Sequence, residues 1–315
     1  MRLGPTSTRL VANLAFPVVT GAALVLAIGL MNRGIDPIVA FVSAQIPAFL
    51  AVIGLERLAP YHSDWNRNHQ DISVDVRHLI TVTLTGAFAE PVLRWIAVML
   101  ATWLLGDFAL GVWPSGWPLV LQLALALVIG ELGQYWAHRL GHEVDWLWRF
   151  HALHHSAPRL YWLNAARFHP VDILIGNAAY LIPLVALGAG RDVLALWILF
   201  AAIHGVFQHC NVPVRIGPLN WIFSMAELHR WHHSRLVDES NTNYGQNLIV
   251  WDVVFGTRFL PADRQPPLDI GLAGLPAFPT TFLAQELSPL HWNEIKAGRG
   301  AVAGPLGDAD DFTEV

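Results

Sequence analysis

QYWAHRLGHEVDWLWRFHALHH, residues 134–155, holds five of the chain's fifteen histidines. They stand as His138-x3-His142 and as His151-x2-His154-His155. Well downstream, His229-x2-His232-His233 repeats the second pattern. The three boxes together cover fifteen positions and contain eight histidines, where random placement would put about 0.7. On a helix, residues i, i+3 and i+4 share a face. Each box therefore predicts a short helical face carrying two or three imidazoles, and three such faces can converge on one point. Imidazole is neutral at pH 7 and is a common ligand for iron, zinc and copper. Eight nitrogens exceed the four that a tetrahedral zinc takes, so they suit two metals better. The bland alternative is a set of ordinary core or surface histidines, for which this recurring spacing has no reason.

Composition says where such a centre would sit. The chain has 315 residues, 54% hydrophobic and only 14% charged, with a mean hydropathy of +0.43. Soluble domains carry about 25% charged residues, so this is the composition of a membrane protein. A net charge of −5 without a basic run excludes a nucleic-acid partner. The single cysteine, Cys210, excludes an intrachain disulfide framework and any cysteine-based zinc or iron–sulfur site, and reads as small apolar filler. Many of the fourteen tryptophans flank apolar runs, as interfacial belts do.

The expected fold is therefore all-α: a polytopic membrane helical bundle with a histidine-rich helical cap on the cytoplasmic side. Residues 11–31 form an uncharged apolar run long enough to span, and longer than a signal-peptide core. Residues 38–55 follow as a second span. A polar segment, 56–78, leaves the membrane. Residues 79–105 are apolar but interrupted by Glu90, Pro91 and Arg94, and read either as one kinked span or as a span with a re-entrant part. After a Gly/Pro/Trp turn at 107–117, residues 118–136 run apolar straight into the first histidine box. Two shorter apolar runs, 173–187 and 193–207, predict a membrane hairpin over 173–207. The chain divides into N-terminal transmembrane helices (1–117), a histidine-box core (118–260) and a C-terminal cytoplasmic tail (261–315). That tail is expected to be loosely ordered, with an acidic end at Asp308, Asp310, Asp311 and Glu314.

With the N-terminus in the cytoplasm, sixteen of the nineteen basic residues fall on the inner side; the other three are Arg33, Arg94 and Arg191. This positive-inside bias places all three histidine boxes and the C-terminus on the cytoplasmic face. Glu131 lies inside the span before box one, seven residues ahead of His138 and on the same helical face. An ionisable group in a membrane helix is a functional hypothesis by default. Glu131 reads either as a group that orients or binds at the site, or as a carboxylate satisfied near the interface.

The boxes HRLGH (138–142), HALHH (151–155) and HRWHH (229–233) resemble the integral-membrane fatty acid hydroxylase/sterol desaturase superfamily. Their context agrees: Trp148-Arg149-Phe150, Arg167-x-His169-Pro170, Asn243-Tyr244-Gly245, Trp251-Asp252 and Phe255-Gly256-Thr257. The resemblance covers roughly residues 120–260. It implies a non-haem di-iron centre that uses O2 and two electrons to attack an unactivated C–H bond of a lipid. It carries the iron-ligand role to His138, His142, His151, His154, His155, His229, His232 and His233, with His209 as a further match between boxes two and three. His204 and His169 match more weakly; His169 reads as a group beside box two and His204 as a buried apolar-helix histidine.

Breaking an alkyl C–H bond needs metal–oxygen chemistry, while the protein supplies ligands, orientation and exclusion of water. Each ligand histidine needs its other ring N–H held. Asp145, Asn164, Glu131, Glu227 and Asp252 are the candidate holders. Trp162, Trp231 and Phe168 are candidates for lining a lipid route. A separate electron donor, ferredoxin-like or cytochrome b5-like with its reductase, is expected in a bacterial inner membrane. Hydroxylation, desaturation and ether-lipid cleavage all stay open, as does the lipid.

Two other readings compete. A membrane metal transporter would want ligands along a path across the bilayer, whereas these boxes flank spans on one side. A zinc hydrolase is suggested by His142-Glu143-Val144-Asp145-Trp146, which begins like HExxH, but Trp146 stands where the second histidine belongs.

Overall fold

The computed structural model describes residues 3–106 and 111–299. Its regular elements are helices; two isolated β-bridges are the only extended pairings among the described residues. Helix α1 is Pro5–Met31, α2 Pro37–Leu58, α3 Ile72–Leu105, α4 Leu119–Glu143, α5 Asp145–His155, α6 Pro170–Ala186, α7 Arg191–His209 and α8 Ala226–His232, followed by the short helices α9 Val237–Ser240 and α10 Val250–Phe255. Helices α1, α2, α3, α4 and α7 are long and apolar enough to cross a membrane, and α6 is a shorter apolar helix.

Lipid is as apolar as leucine, so helices in a bilayer associate by close packing of small residues rather than by hydrophobic burial. The sequence supplies those residues in register. Ala40, Ala44, Ala48 and Val52 recur every fourth position and form the buried stripe of α2. Its other faces leave Ile38, Val42, Ile46 and Leu50 exposed, as a lipid-facing surface requires. Glycines do the same work on α4. A Cβ at Gly133 would stand 2.0 Å from the Ala179 carbonyl oxygen, so only glycine lets α4 and α6 approach this closely. One turn away, Gly130 leaves room for Tyr180 of α6 and Trp197 of α7, which stack at 3.7 Å and 15°.

One open alternative of the sequence reading is resolved, and two details differ from it. The segment with Glu90, Pro91 and Arg94 is one continuous helix of 34 residues, with no re-entrant break. Glu90 and Arg94 pair one turn apart, which reconciles both charges with a span. The expected hairpin 173–207 keeps its turn at 187–190, yet α7 is itself long enough to span, and α4 packs against both of its arms. The C-terminal segment is also docked, as far as Lys296. Helices α11 (Phe282–Glu286) and α12 (Trp292–Lys296) bury Gln285, Trp292 and Ile295. His78 bonds Gln285 Oε1 at 2.9 Å, and Lys296 donates to both oxygens of Asp145 at 3.0 Å. The acidic end at Asp308–Glu314 lies outside the described residues.

Five helix ends meet at one pole of the bundle: the C-termini of α2, α4 and α7 and the N-termini of α3 and α6. A buried polar frame ties them together. Glu56, at the end of α2, accepts from the backbone N–H groups of Trp162 at 2.8 Å and Asn211 at 2.9 Å. Arg159 donates to both oxygens of Asp71, at 2.7 and 2.8 Å. Asp75 accepts from Tyr161 Oη at 2.7 Å and from Arg167 at 3.1 Å. At about 1.5 Å per residue, α3 is about 51 Å long against a hydrocarbon core of about 30 Å. Its first turns therefore stand clear of the apolar layer and carry Asp75 and His78 into this frame.

Candidate metal centre

All three histidine boxes lie at the pole the frame holds. His138 and His142 occupy the last two turns of α4. Val144, in extended conformation, breaks the chain direction, and α5 begins at once with Asp145 in its first turn. This turns His151, His154 and His155 back over α4. His209 is the last residue of α7, and His229 and His232 share one face of α8, with His233 at its end.

The nine histidines named from sequence fall into two groups. His138, His142, His151, His155 and His232 form one, and His154, His209, His229 and His233 the other, with ligand atoms in each group within 4.8 Å of one another. All nine are buried except half-buried His142. The groups share a wall in which the rings of His155 and His233 stack at 4.4 Å and 22°.

Hydrogen bonds fix which nitrogen faces inward. Nδ1 of His138 donates to the Tyr244 carbonyl at 2.6 Å, and Nδ1 of His232 to the Thr242 carbonyl at 2.7 Å. His142 Nδ1 meets Asn241 Oδ1 at 3.2 Å, and His151 Nδ1 meets Asp172 Oδ2 at 2.8 Å. His154 Nδ1 faces the Arg167 carbonyl at 3.2 Å, and His209 Nδ1 faces Asn164 Oδ1 at 2.9 Å. Each partner is an oxygen acceptor, so each Nδ1 carries the proton and leaves Nε2 as a bare lone pair.

Those lone pairs point at one another. Nε2 of His138 and of His232 are 3.0 Å apart, and Nε2 of His209 and of His229 are 2.9 Å apart. Nε2 of His142, His151 and His155 is buried with no partner. Protonation is no remedy: burial and then the neighbouring imidazoles hold His154, His155, His229 and His233 well below the usual histidine value, and burial pulls His232 to about 3. In the second group, Nε2 of His229 stands within hydrogen-bonding distance of Nε2 of both His209 and His233. Between His138 and His232 two neutral nitrogens face each other at hydrogen-bonding distance with no proton between them, which matches a cation. The donor set fits one in each group. Five imidazoles in the first exceed tetrahedral zinc, and imidazole suits iron.

The remaining sequence candidates are placed as follows. Asn164 holds His209, as expected of a holder. Glu131 touches no histidine of the cage; it accepts from the N–H groups of Gln246 at 2.5 Å and Asn247 at 3.0 Å. Asp252 acts at one remove: it accepts from Tyr244 N at 2.8 Å and Gly245 N at 2.7 Å, fixing the loop whose Tyr244 carbonyl takes the His138 proton. Burial raises the Asp252 carboxyl to about 6 against those bonds. His169 caps α6 through Val171 N at 3.0 Å and faces Glu286, outside both groups. His204 is buried between Phe16 and Phe200, also outside. Asp145 and Glu227 serve Lys296 and Asn220 instead. Phe168 stacks on His154 at 4.0 Å and 12° and so closes one side of the cage. Trp162 is half-buried against the core, and Trp231 faces Phe259 on the far side of α8. Trp146 is exposed, which removes the HExxH reading.

Sequence reasoning missed Asp172, Asn241 and the carbonyls of Thr242, Tyr244 and Arg167. Carbonyls leave no side-chain signal, and Asp172 reaches His151 only because α6 starts beside α5.

The comparisons with known proteins point the same way. The fatty acid hydroxylase family profile matches residues 123–257. An ornithine lipid hydroxylase of Rhizobium tropici is 42% identical over 261 residues, covering 81% of this chain and 76% of that protein. The alkylglycerol monooxygenase of Homo sapiens is 35% identical over 127 residues, 40% of this chain and 28% of that protein. Methylsterol monooxygenase 2-2 of Arabidopsis thaliana is 27% identical over 147 residues, 46% and 54% respectively. No solved structure matches the chain.

Proposed function

The chain belongs to the fatty acid hydroxylase family, and from that premise we propose that it is a di-iron, O2-dependent lipid hydroxylase of the membrane. It is an oxidoreductase of that family, and its five apolar helices make it an integral membrane protein. The observation that carries the reading is the convergence of the nine imidazoles in two groups, with the facing, unprotonated Nε2 pair of His138 and His232 in the first.

In this reading His138, His142, His151, His155 and His232 hold one iron, and His154, His209, His229 and His233 the other. Bound there, the iron pair supplies the O2-dependent oxidation that a C–H bond without a leaving group needs. The protein does the rest. Asp172, Asn241, Asn164 and three backbone carbonyls keep six rings in the Nδ1–H tautomer, so their Nε2 lone pairs stay inside the cage. Neutral imidazoles add no charge to the centre. Phe168 and the stacked rings of His155 and His233 keep water from its walls. The spanning helices bring a bilayer lipid to the same pole.

Relatives named as a hydroxylase and as monooxygenases favour insertion of oxygen over desaturation. An ornithine-containing lipid is the first substrate to try. Two electrons come from a separate ferredoxin- or cytochrome b5-like donor. In this reading the cage lies at the cytoplasmic face of a bacterial inner membrane, which the positive-inside bias of the sequence supports. The test is lipid mass spectrometry of cells with and without the protein. A lipid that gains the mass of one oxygen atom is expected, and His151→Ala should abolish it while the protein stays in the membrane. A lipid that only loses two hydrogens would point to desaturation, and no lipid change at all would refute the reading.

A further inference from the structure

Helix α8 has two working faces. His229 and His232 look into the cage. Glu227, Arg230 and Trp231 look the other way, into a separate cavity of about 480 Å³. That volume is in the range of small-molecule sites. The cavity is closed by Arg9 and Ala12 of α1, by Arg215, and by the chain from Leu260 to Pro266.

Its charge is unbalanced. Arg230 is only 2% exposed, yet no carboxylate pairs with it among the described residues. Its Nη2 donates to the carbonyls of Cys210 at 3.0 Å and Val212 at 2.6 Å, and its guanidinium lies 3.8 Å from the Tyr61 ring centroid. Its Nε has no partner. A buried cation without a counter-charge is costly, and an anion in the cavity relieves it. Arg9 makes no ion pair among the described residues. Arg215 stands 3.8 Å from Glu227, which already accepts from Asn220 at 2.6 Å. Arg264 is engaged by Glu239 at 2.7 Å. Among the residues that line the cavity, four arginines stand against one carboxylate, Glu227, and Glu239 engages one of the four from outside the lining.

Depth in the membrane selects the anion. Arg9 is the last charge before the apolar run of α1, so the cavity opens where headgroups lie. Leu219, Trp221 and Ile222 are exposed around Asn220, an apolar shoulder with an interfacial tryptophan. We propose that this cavity binds the phosphate or carboxylate of an anionic bilayer lipid, at a site apart from the metal cage. Arg230 and Arg215 meet the anion, Arg9 closes over it from α1, and the acyl chains leave along the apolar shoulder.

The experiment titrates the purified full chain as isolated, in neutral detergent, with short-chain dihexanoyl-phosphatidylglycerol, with glycerol phosphate and with inorganic phosphate. Because no turnover is involved and binding alone is read, the result is independent of the oxygenase reading. Saturable binding of one phosphatidylglycerol per chain is expected, about tenfold or more tighter than either chain-free anion. Removing both rim cations, Arg9→Gln with Arg215→Gln, should weaken it by about tenfold or more. Arg230→Gln should remove it, and since that variant also loses two buried hydrogen bonds, the exposed double variant carries the test alone if Arg230→Gln does not fold. Equal affinity for inorganic phosphate would overturn the lipid assignment. Absence of saturable binding, or a double variant that binds like the parent, would overturn the site.

Discussion

Two buried polar regions share one pole of this bundle, and they are satisfied in opposite ways. In the frame, every carboxylate has its partner inside the protein: Asp71 has Arg159, Asp75 has Tyr161 and Arg167, and Glu56 has two backbone N–H groups. In the cage, the outward nitrogens of six rings are held, while the inward ones face each other or nothing. Buried polar atoms in a native fold are normally paired. A region that satisfies itself is structural. A region that stays unsatisfied after folding is shaped for something the chain does not contain.

The comparison can be broken by experiment, and the largest effect should come from the cage. His151→Ala removes one of five imidazoles, and hydroxylation should fall at least a hundredfold, to background, while folding is kept. Activity in that variant within a few-fold of the parent would put the centre elsewhere. The frame should respond in the opposite sense. Arg159→Ala leaves Asp71 buried and unpaired, which should cost about 3–5 kcal/mol of stability with or without metal. Thermal unfolding in detergent checks this, and an unchanged midpoint would show that the frame does not hold the pole.

Between these lies the shell that joins the two regions. Asp172→Asn keeps the shape but weakens the hold on the His151 proton, and should lower metal affinity of the five-histidine group by roughly ten- to a hundredfold. The four-histidine group should keep its metal, because its holders are Asn164 and the Arg167 carbonyl. Equal loss from both groups would mean that the cage is one indivisible site. The smallest effect is expected at Glu143, which adjoins His142 in sequence but pairs with Arg139 at the surface. Glu143→Gln should cost below about 0.5 kcal/mol and leave metal content unchanged. A loss of activity there would revive the hydrolase-like reading of His142-Glu143.

The contrast also explains what could be read from the sequence. Histidines at i, i+3 and i+4 declare themselves, and charge asymmetry put their segments on one side, so the eight box histidines could be named from spacing and His209 from the family resemblance, and all nine do come together. Four of the five spanning helices were legible from hydropathy; the fifth, α7, read only as one arm of a membrane hairpin. The frame was not legible. Asp71, Asp75, Arg159 and Arg167 sit in polar stretches that look like solvent-exposed surface, and only folding pairs them. The holders were legible only in part, because three are backbone carbonyls. The docked helices α11 and α12 were hidden by a Pro/Gly-rich composition that reads as a loose tail. Glu131, a charge in a span, left two readings open; its carboxylate fastens the Gln246–Asn247 backbone to α4.

The central claim is that the two histidine groups each hold an iron. Elemental analysis of the full chain, purified in detergent from iron-replete cells, tests it most directly. The account predicts two irons per chain, falling to about one when His229→Ala and His233→Ala are combined. A single zinc per chain, or no metal bound at all, would contradict it.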